Sequence, residues 1–96
     1  MQVYSAQILN VENSITIDIG DNNRNYKVKL ACIDVDPLKE DMALSWLKDK
    51  LPRNKKVNLR PQGSDHGVLI ARVSLVKDNF DLGEGLVENK LARSSC

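Results

Sequence analysis

Aromatic side chains are scarce in this chain: Tyr4, Tyr26, Trp46 and Phe80 are all it has among 96 residues. A surface that stacks several bases on rings is therefore poorly supplied. No apolar run approaches the roughly 20 residues that a membrane-spanning helix needs. The first residues, Met-Gln-Val-Tyr-Ser, have neither the basic nor the apolar region of a secretory leader. A soluble, unsecreted, cytoplasmic chain without membrane contact is expected. Cysteine is limited to Cys32, inside an apolar run, and Cys96, the last residue. A bridge between them would join a buried strand to a chain end, so two free thiols are expected. The single histidine, His66, has no Cys or His at ligand spacing, which argues against a zinc site. An excess of one charge is missing too. The formal charge of +1 argues against bulk electrostatic capture of nucleic acid and leaves a local patch open. A chain of this length supports one domain with one small core.

The most structured stretch is Tyr26 to Pro37, Tyr-Lys-Val-Lys-Leu-Ala-Cys-Ile-Asp-Val-Asp-Pro. Its alternation predicts a strand with Tyr26, Val28 and Leu30 facing inward and Lys27 and Lys29 outward, continuing apolar to Ile33. Asp34 and Asp36 follow at the strand end, where Pro37 holds Asp36 extended. Upstream, the irregular apolar positions Val3, Ala6, Ile8 and Leu9 suit a strand with a bulge. Glu12-Asn13 is a tight turn. Ile15, Ile17 and Ile19 then alternate with polar residues as a half-buried strand. The polar loop from Gly20 to Asn25 makes the first three strands a meander.

After Pro37 the period becomes helical, with Met42, Ala43, Trp46, Leu47 and Leu51 on one side and Lys39, Glu40, Asp41, Lys48 and Asp49 on the other. Pro52 closes that helix. A short strand is predicted from Lys56 to Arg60, a Gly-containing polar loop from Pro61 to Gly67, and a fifth strand from Leu69 to Val76. Asp81 and Glu84 resemble a capping box for a second helix that carries Leu82, Leu86 and Val87. Five strands and two helices around one core predict a mainly β single domain, residues 1 to 96, with a five-stranded barrel of the OB type.

Three segments carry a resemblance. Tyr-Lys-Val-Lys-Leu-Ala-Cys-Ile-Asp at 26 to 34, the Asp-x-Gly-x-x-x-Ala pattern of Asp65, Gly67 and Ala71, and Leu-Gly-Glu-Gly-Leu-Val-Glu-Asn-Lys-Leu-Ala-Arg at 82 to 93 resemble the staphylococcal-nuclease, or thermonuclease-like, family. The resemblance implies the family's barrel and, in its enzymes, a Ca²⁺-dependent phosphodiesterase acting on DNA and RNA. Acids hold the metal there, a glutamate is the proposed base and two arginines neutralise the phosphate. Read position by position, the resemblance implies that Ser14 replaces one metal-binding aspartate and that Lys29 replaces the strand arginine without its bidentate fork. Asp34 matches the second metal-binding aspartate. Val35, Asp36 and Pro37 fall on the family's Thr-Pro-Glu, so the base position lacks a glutamate unless Asp36 or Glu40 reaches in. His66-Gly67-Val68 stands where Tyr-Gly-Arg is usual, so the second arginine is missing.

Removing one preorganised transition-state donor costs roughly 100- to 1000-fold in rate, and several groups are altered together here. Ca²⁺ wants six or more oxygens, so Asp34 with Asp36 would hold it weakly. The expectation is a catalytically degenerate domain, with Lys29, Asp36 and Glu40 as vestigial catalytic candidates and Asp34 as a weak metal ligand. It would act as a nucleic-acid-binding or protein-assembly module. The alternative is a weak, divergent Ca²⁺-dependent nuclease. Lys48, Lys50, Arg53, Lys55, Lys56 and Arg60, opposed only by Asp49, form the candidate surface for single-stranded nucleic acid. Trp46 is expected in the core. Members with the full domain continue into another strand and a third helix, so a homodimer or a protein partner is expected over the shortened carboxyl-terminal side. Lys90 stands where a helix-ending glycine is usual, which leaves the left-handed cap to Asn89.

Overall fold

Ile17 and Ile19, two residues apart on a β-branched strand, are fully buried, and their polar neighbours Thr16 and Asp18 turn outward. This period of two builds the barrel wall. In a computed structural model, which describes residues 4–21 and 24–95, the wall consists of β1 (Tyr4–Val11), β2 (Thr16–Asp21), β3 (Arg24–Leu30), β5 (Lys56–Asp65) and β6 (Val68–Leu75). The predicted apolar position Val3, the centre of the β2–β3 loop and Cys96 lie outside the described residues. The strands close in the order β1-β2-β3-β6-β5, with β5 returning to β1. All neighbours are antiparallel except β3 and β6, which run parallel with Leu30 beside Ala71. The predicted bulge is present in β1, between Ile8 and Asn10. A second, two-stranded sheet pairs β4 (Ile33–Asp34) with β7 (Arg93–Ser94).

Two helices plug the barrel. A 3₁₀ turn at Pro37–Lys39 leads into α1 (Glu40–Lys50), and α2 is Leu82–Glu88. Ala43, Leu47 and Leu51 from the first, with Leu82 and Leu86 from the second, join the strand residues Ile8, Val28, Val57, Leu59 and Val73 in one cluster. Each fully buried Leu, Ile or Val contributes roughly 1.5–3 kcal/mol, so this cluster outweighs every surface contact. The Asp81 carboxylate accepts the Glu84 N–H at 3.0 Å, as the capping pattern predicts.

Several local expectations are corrected. β3 stops at Leu30, because Ala31 and Cys32 form a turn in which Cys32 takes a φ of 64°. Cys32 is disulfide-bonded rather than a free thiol, and it is half-buried in that turn rather than inside a strand. The end of the chain folds back beside it: β7 pairs with β4, and the Ser95 N–H donates to the Cys32 carbonyl at 2.9 Å. The cytoplasmic expectation loses the support it drew from free thiols. No helix of the described residues is long and apolar enough to cross a membrane.

The predicted loop from Pro61 to Gly67 is largely strand. β5 runs to Asp65 through an irregularity between Pro61 and Gly63, and the turn is His66-Gly67, with φ of 50° and 81°. Its outer half is exposed, so no apolar alternation marks it. The loop after β2 is likewise shorter than predicted, since Asp21 already pairs with Arg24. On α1, Met42 points outward at 56% exposure, while Trp46 packs against the core as expected and Leu44, also half-buried, joins it. At the end of α2, Lys90 itself adopts φ 60° while Asn89 stays at −87°. The Lys90 and Leu91 N–H groups then donate to Val87 and Leu86.

Two stability outcomes follow. Lys90→Gly relieves a left-handed side chain and is expected to raise stability by about 1 kcal/mol, roughly 4–8 °C in Tm for a domain of this size. Gly85→Ala places a Cβ 2.6 Å from Phe80 Cζ and Trp46 Cη2. It is expected to lower stability by about 1–3 kcal/mol in a thermal or denaturant melt.

Candidate functional site

The turn between β1 and β2 is tied by the Glu12 and Asn13 N–H groups, both donating to the Thr16 carbonyl, and by the Asn13 side chain accepting from the Ile15 N–H. The turn presses Ser14 into the protein, where it is fully buried. Glu40, the first residue of α1, meets it from 26 residues away. One carboxylate oxygen accepts the Ser14 N–H at 2.9 Å, and the other accepts the Ser14 hydroxyl at 2.6 Å. Glu40 therefore does not belong to the solvated side of α1 assigned from the sequence. Its two oxygens are committed to Ser14, the residue that stands where the resemblance places a metal-binding acid. Lys29 is close in the fold, since it pairs with Thr16 across β2 and β3 and the Leu30 N–H donates to the Ile15 carbonyl at 2.7 Å.

The remaining acids have other work. Asp36 caps the 3₁₀ turn by accepting the Leu38 N–H at 2.9 Å. Asp34 faces Arg93 at 3.8 Å, with the two side chains 68% and 80% exposed, a pairing worth little against solvent screening. Both acids line a cleft of about 300 Å³ shared with Lys39, Lys90 and Arg93. The Lys39 ammonium donates to the Lys90 carbonyl at 2.8 Å across it. Three cations against two carboxylates make this cleft a poor place for Ca²⁺, which needs several charged oxygens free of other partners. Among the described residues no three His, Cys, Asp or Glu side chains are grouped to hold a metal ion. The residues present thus do not fit the calcium ion that the resemblance implies. In the triplet His66-Gly67-Val68, which the resemblance sets against Tyr-Gly-Arg, His66 lies at an exposed hairpin tip, 3.4 Å from Asp65, and Val68 stands at the arginine's place.

The basic cluster is distributed rather than gathered. Lys48 and Lys50 lie in the last turn of α1, where the helix carboxyl end favours cations. The Lys50 ammonium lies 5.8 Å from the Trp46 ring centroid. Arg53 and Lys55 occupy the turn before β5, and Lys56 begins that strand opposite Gln7. Arg60 is four residues further on, about 13 Å along the strand. It stands opposite Arg72 instead of beside the others. None of the six has an ion pair among the described residues.

Lys27 differs. It bonds Glu12 and, at 3.1 Å, Asp18, and these two partners, Glu12 first, raise its pKa above the ordinary lysine value. Sequence reasoning missed two further cations. Arg24 shares a groove of about 490 Å³ with Lys56, Gln7 and Asn25, and Arg72 pairs with Asp81 at 3.7 Å. Cross-strand register brings both into place, and no local pattern reports it.

The Ser14–Glu40 contact has a measurable weight. Ser14→Ala removes a hydrogen bond to a charged group and is expected to cost roughly 1.5–3 kcal/mol. Glu40→Ala, which strands a buried hydroxyl and N–H, is expected to cost roughly as much. Denaturant midpoints should show the double variant less destabilised than the sum of the singles. A scan against protein-family models finds no match for this chain, and a search of curated proteins finds no relative.

Proposed function

We propose that this chain is a catalytically idle barrel of thermonuclease-like pattern that binds single-stranded nucleic acid through its phosphates. The observation that carries the idle reading is Glu40. A general base must be placed within reach of the proton it removes, and this carboxylate is held against buried Ser14 through both of its oxygens. Asp36 is engaged as a cap and Asp34 faces a cation, which supports the same reading.

The binding reading draws support from Lys50, Arg53, Lys55 and Lys56, which lie close along the chain and lack acidic partners among the described residues. Lys29 supports it as a further cation without an ion pair there. Arg24 extends the surface from Lys56 across a polar groove. Recognition of this kind follows the backbone rather than the base sequence, since base stacking has few rings to use.

Labelled single- and double-stranded oligonucleotides, with Ca²⁺ or chelator, report binding and cleavage in the same samples. About four phosphate contacts predict an affinity loss of about 50-fold for single strands between 50 and 200 mM salt. Lys55→Glu with Lys56→Glu should weaken binding and flatten that dependence. No Ca²⁺-stimulated cleavage is expected. Cleavage abolished by Asp34→Ala would establish the weak-nuclease alternative, and absent or salt-insensitive binding would remove the nucleic-acid reading.

A further inference from the structure

The outward side of α1 carries apolar residues that the monomer leaves uncovered. Leu38 is 92% exposed and Met42 56% exposed; Trp46, four residues on, packs against Phe80 but stays half-buried, with one side at the groove. Met42 and Trp46 line a groove of about 650 Å³ between α1 and the segment after α2, with Asp41, Ser45, Asp49, Asn89 and Leu91. At 3.6 residues per turn, Asp41 and Lys48 lie seven apart on one edge of this side, an acid near the start and a cation near the end. Neither has an ion pair among the described residues.

We infer that this side of α1 is the interface of a two-fold homodimer in which the helices of two copies pack antiparallel. Reversing the helix brings Asp41 of each copy against Lys48 of the other. A two-fold axis makes both pairs at once, and this self-complementarity is what an isologous contact requires. In antiparallel packing, residues on the same edge of the two helices face each other, so the acid and the cation need to share an edge, as they do here. Met42 then packs toward the second copy's Trp46. Ser45, small and near the axis, allows close approach. Lys50 stays over its own Trp46 ring. A foreign partner would need its own matching pattern; a second copy already has it.

Sedimentation velocity over a wide concentration range, with and without reductant because Cys32 carries a disulfide, tests the inference. The wild-type chain should move from monomer to dimer in both conditions. Met42→Asp, an exposed position that leaves the fold intact by circular dichroism, should weaken the dimer at least tenfold. Asp41→Lys and Lys48→Asp should each weaken it about tenfold by placing like charges together, and the combined variant should recover most of the loss. A strict monomer, a dimer indifferent to Met42→Asp, a combined variant no tighter than the single ones, or a dimer abolished by reductant overturns the inference.

Discussion

The parallel pairing of β3 with β6 is the constraint on which this molecule turns. Three registered pairs, Val28 with Leu69, Lys29 with Ile70 and Leu30 with Ala71, close the sheet into a barrel. A parallel contact cannot be made by a hairpin; it needs a long crossover. The crossover here carries the 3₁₀ turn, α1 and the whole of β5. Closure therefore fixes where α1 begins, and with it where Glu40 meets Ser14. The same contact that removes open sheet edges also determines which carboxylate reaches the β1–β2 turn.

A half-buried carboxylate such as that of Glu40 loses part of its hydration and needs donors in its place. Ser14 supplies two, a hydroxyl and a backbone N–H. That solution is structural: it anchors the helix start to a turn 26 residues away and holds the acid against that turn through both oxygens. The cleft beside Asp34 and Asp36 has the opposite polarity from a divalent-metal site, with Lys39, Lys90 and Arg93 around it. Charge on the rest of the surface follows a division of labour. Lys27 is neutralised by Glu12 and Asp18, while the cations from the end of α1 into β5 make no ion pair among the described residues.

Features set by short-range chemistry were legible in the sequence. The alternating isoleucines specify β2, the irregular apolar spacing marks the bulge in β1, and Asp81 with Glu84 marks the start of α2. Features decided by contacts distant in sequence were not. Met42 has the hydropathy of a core residue, yet the inner places of α1 go to Ala43 and Leu47. Residues 62–65 are polar because both sides of their hairpin face water, and this hid a strand. The turn at Cys32 and the returning chain end make a half-buried bonded cysteine out of one that the apolar run Leu-Ala-Cys-Ile assigns to a wall. The engagement of Glu40 with Ser14 rests on a side-chain meeting that no spacing rule reveals.

The β5–β6 hairpin has one more consequence. Beyond Pro61 its first strand is exposed to solvent up to His66-Gly67, and adding a Cβ at Gly63 or Gly67 meets no atom within 4 Å. The strand pairs with its neighbour but contributes no buried residue past Leu59. Such an arm is mechanically peripheral to the barrel, so its tip is the natural port for grafted chain: a fluorophore, an affinity handle or a second domain attached there would extend the molecule while leaving the interior undisturbed.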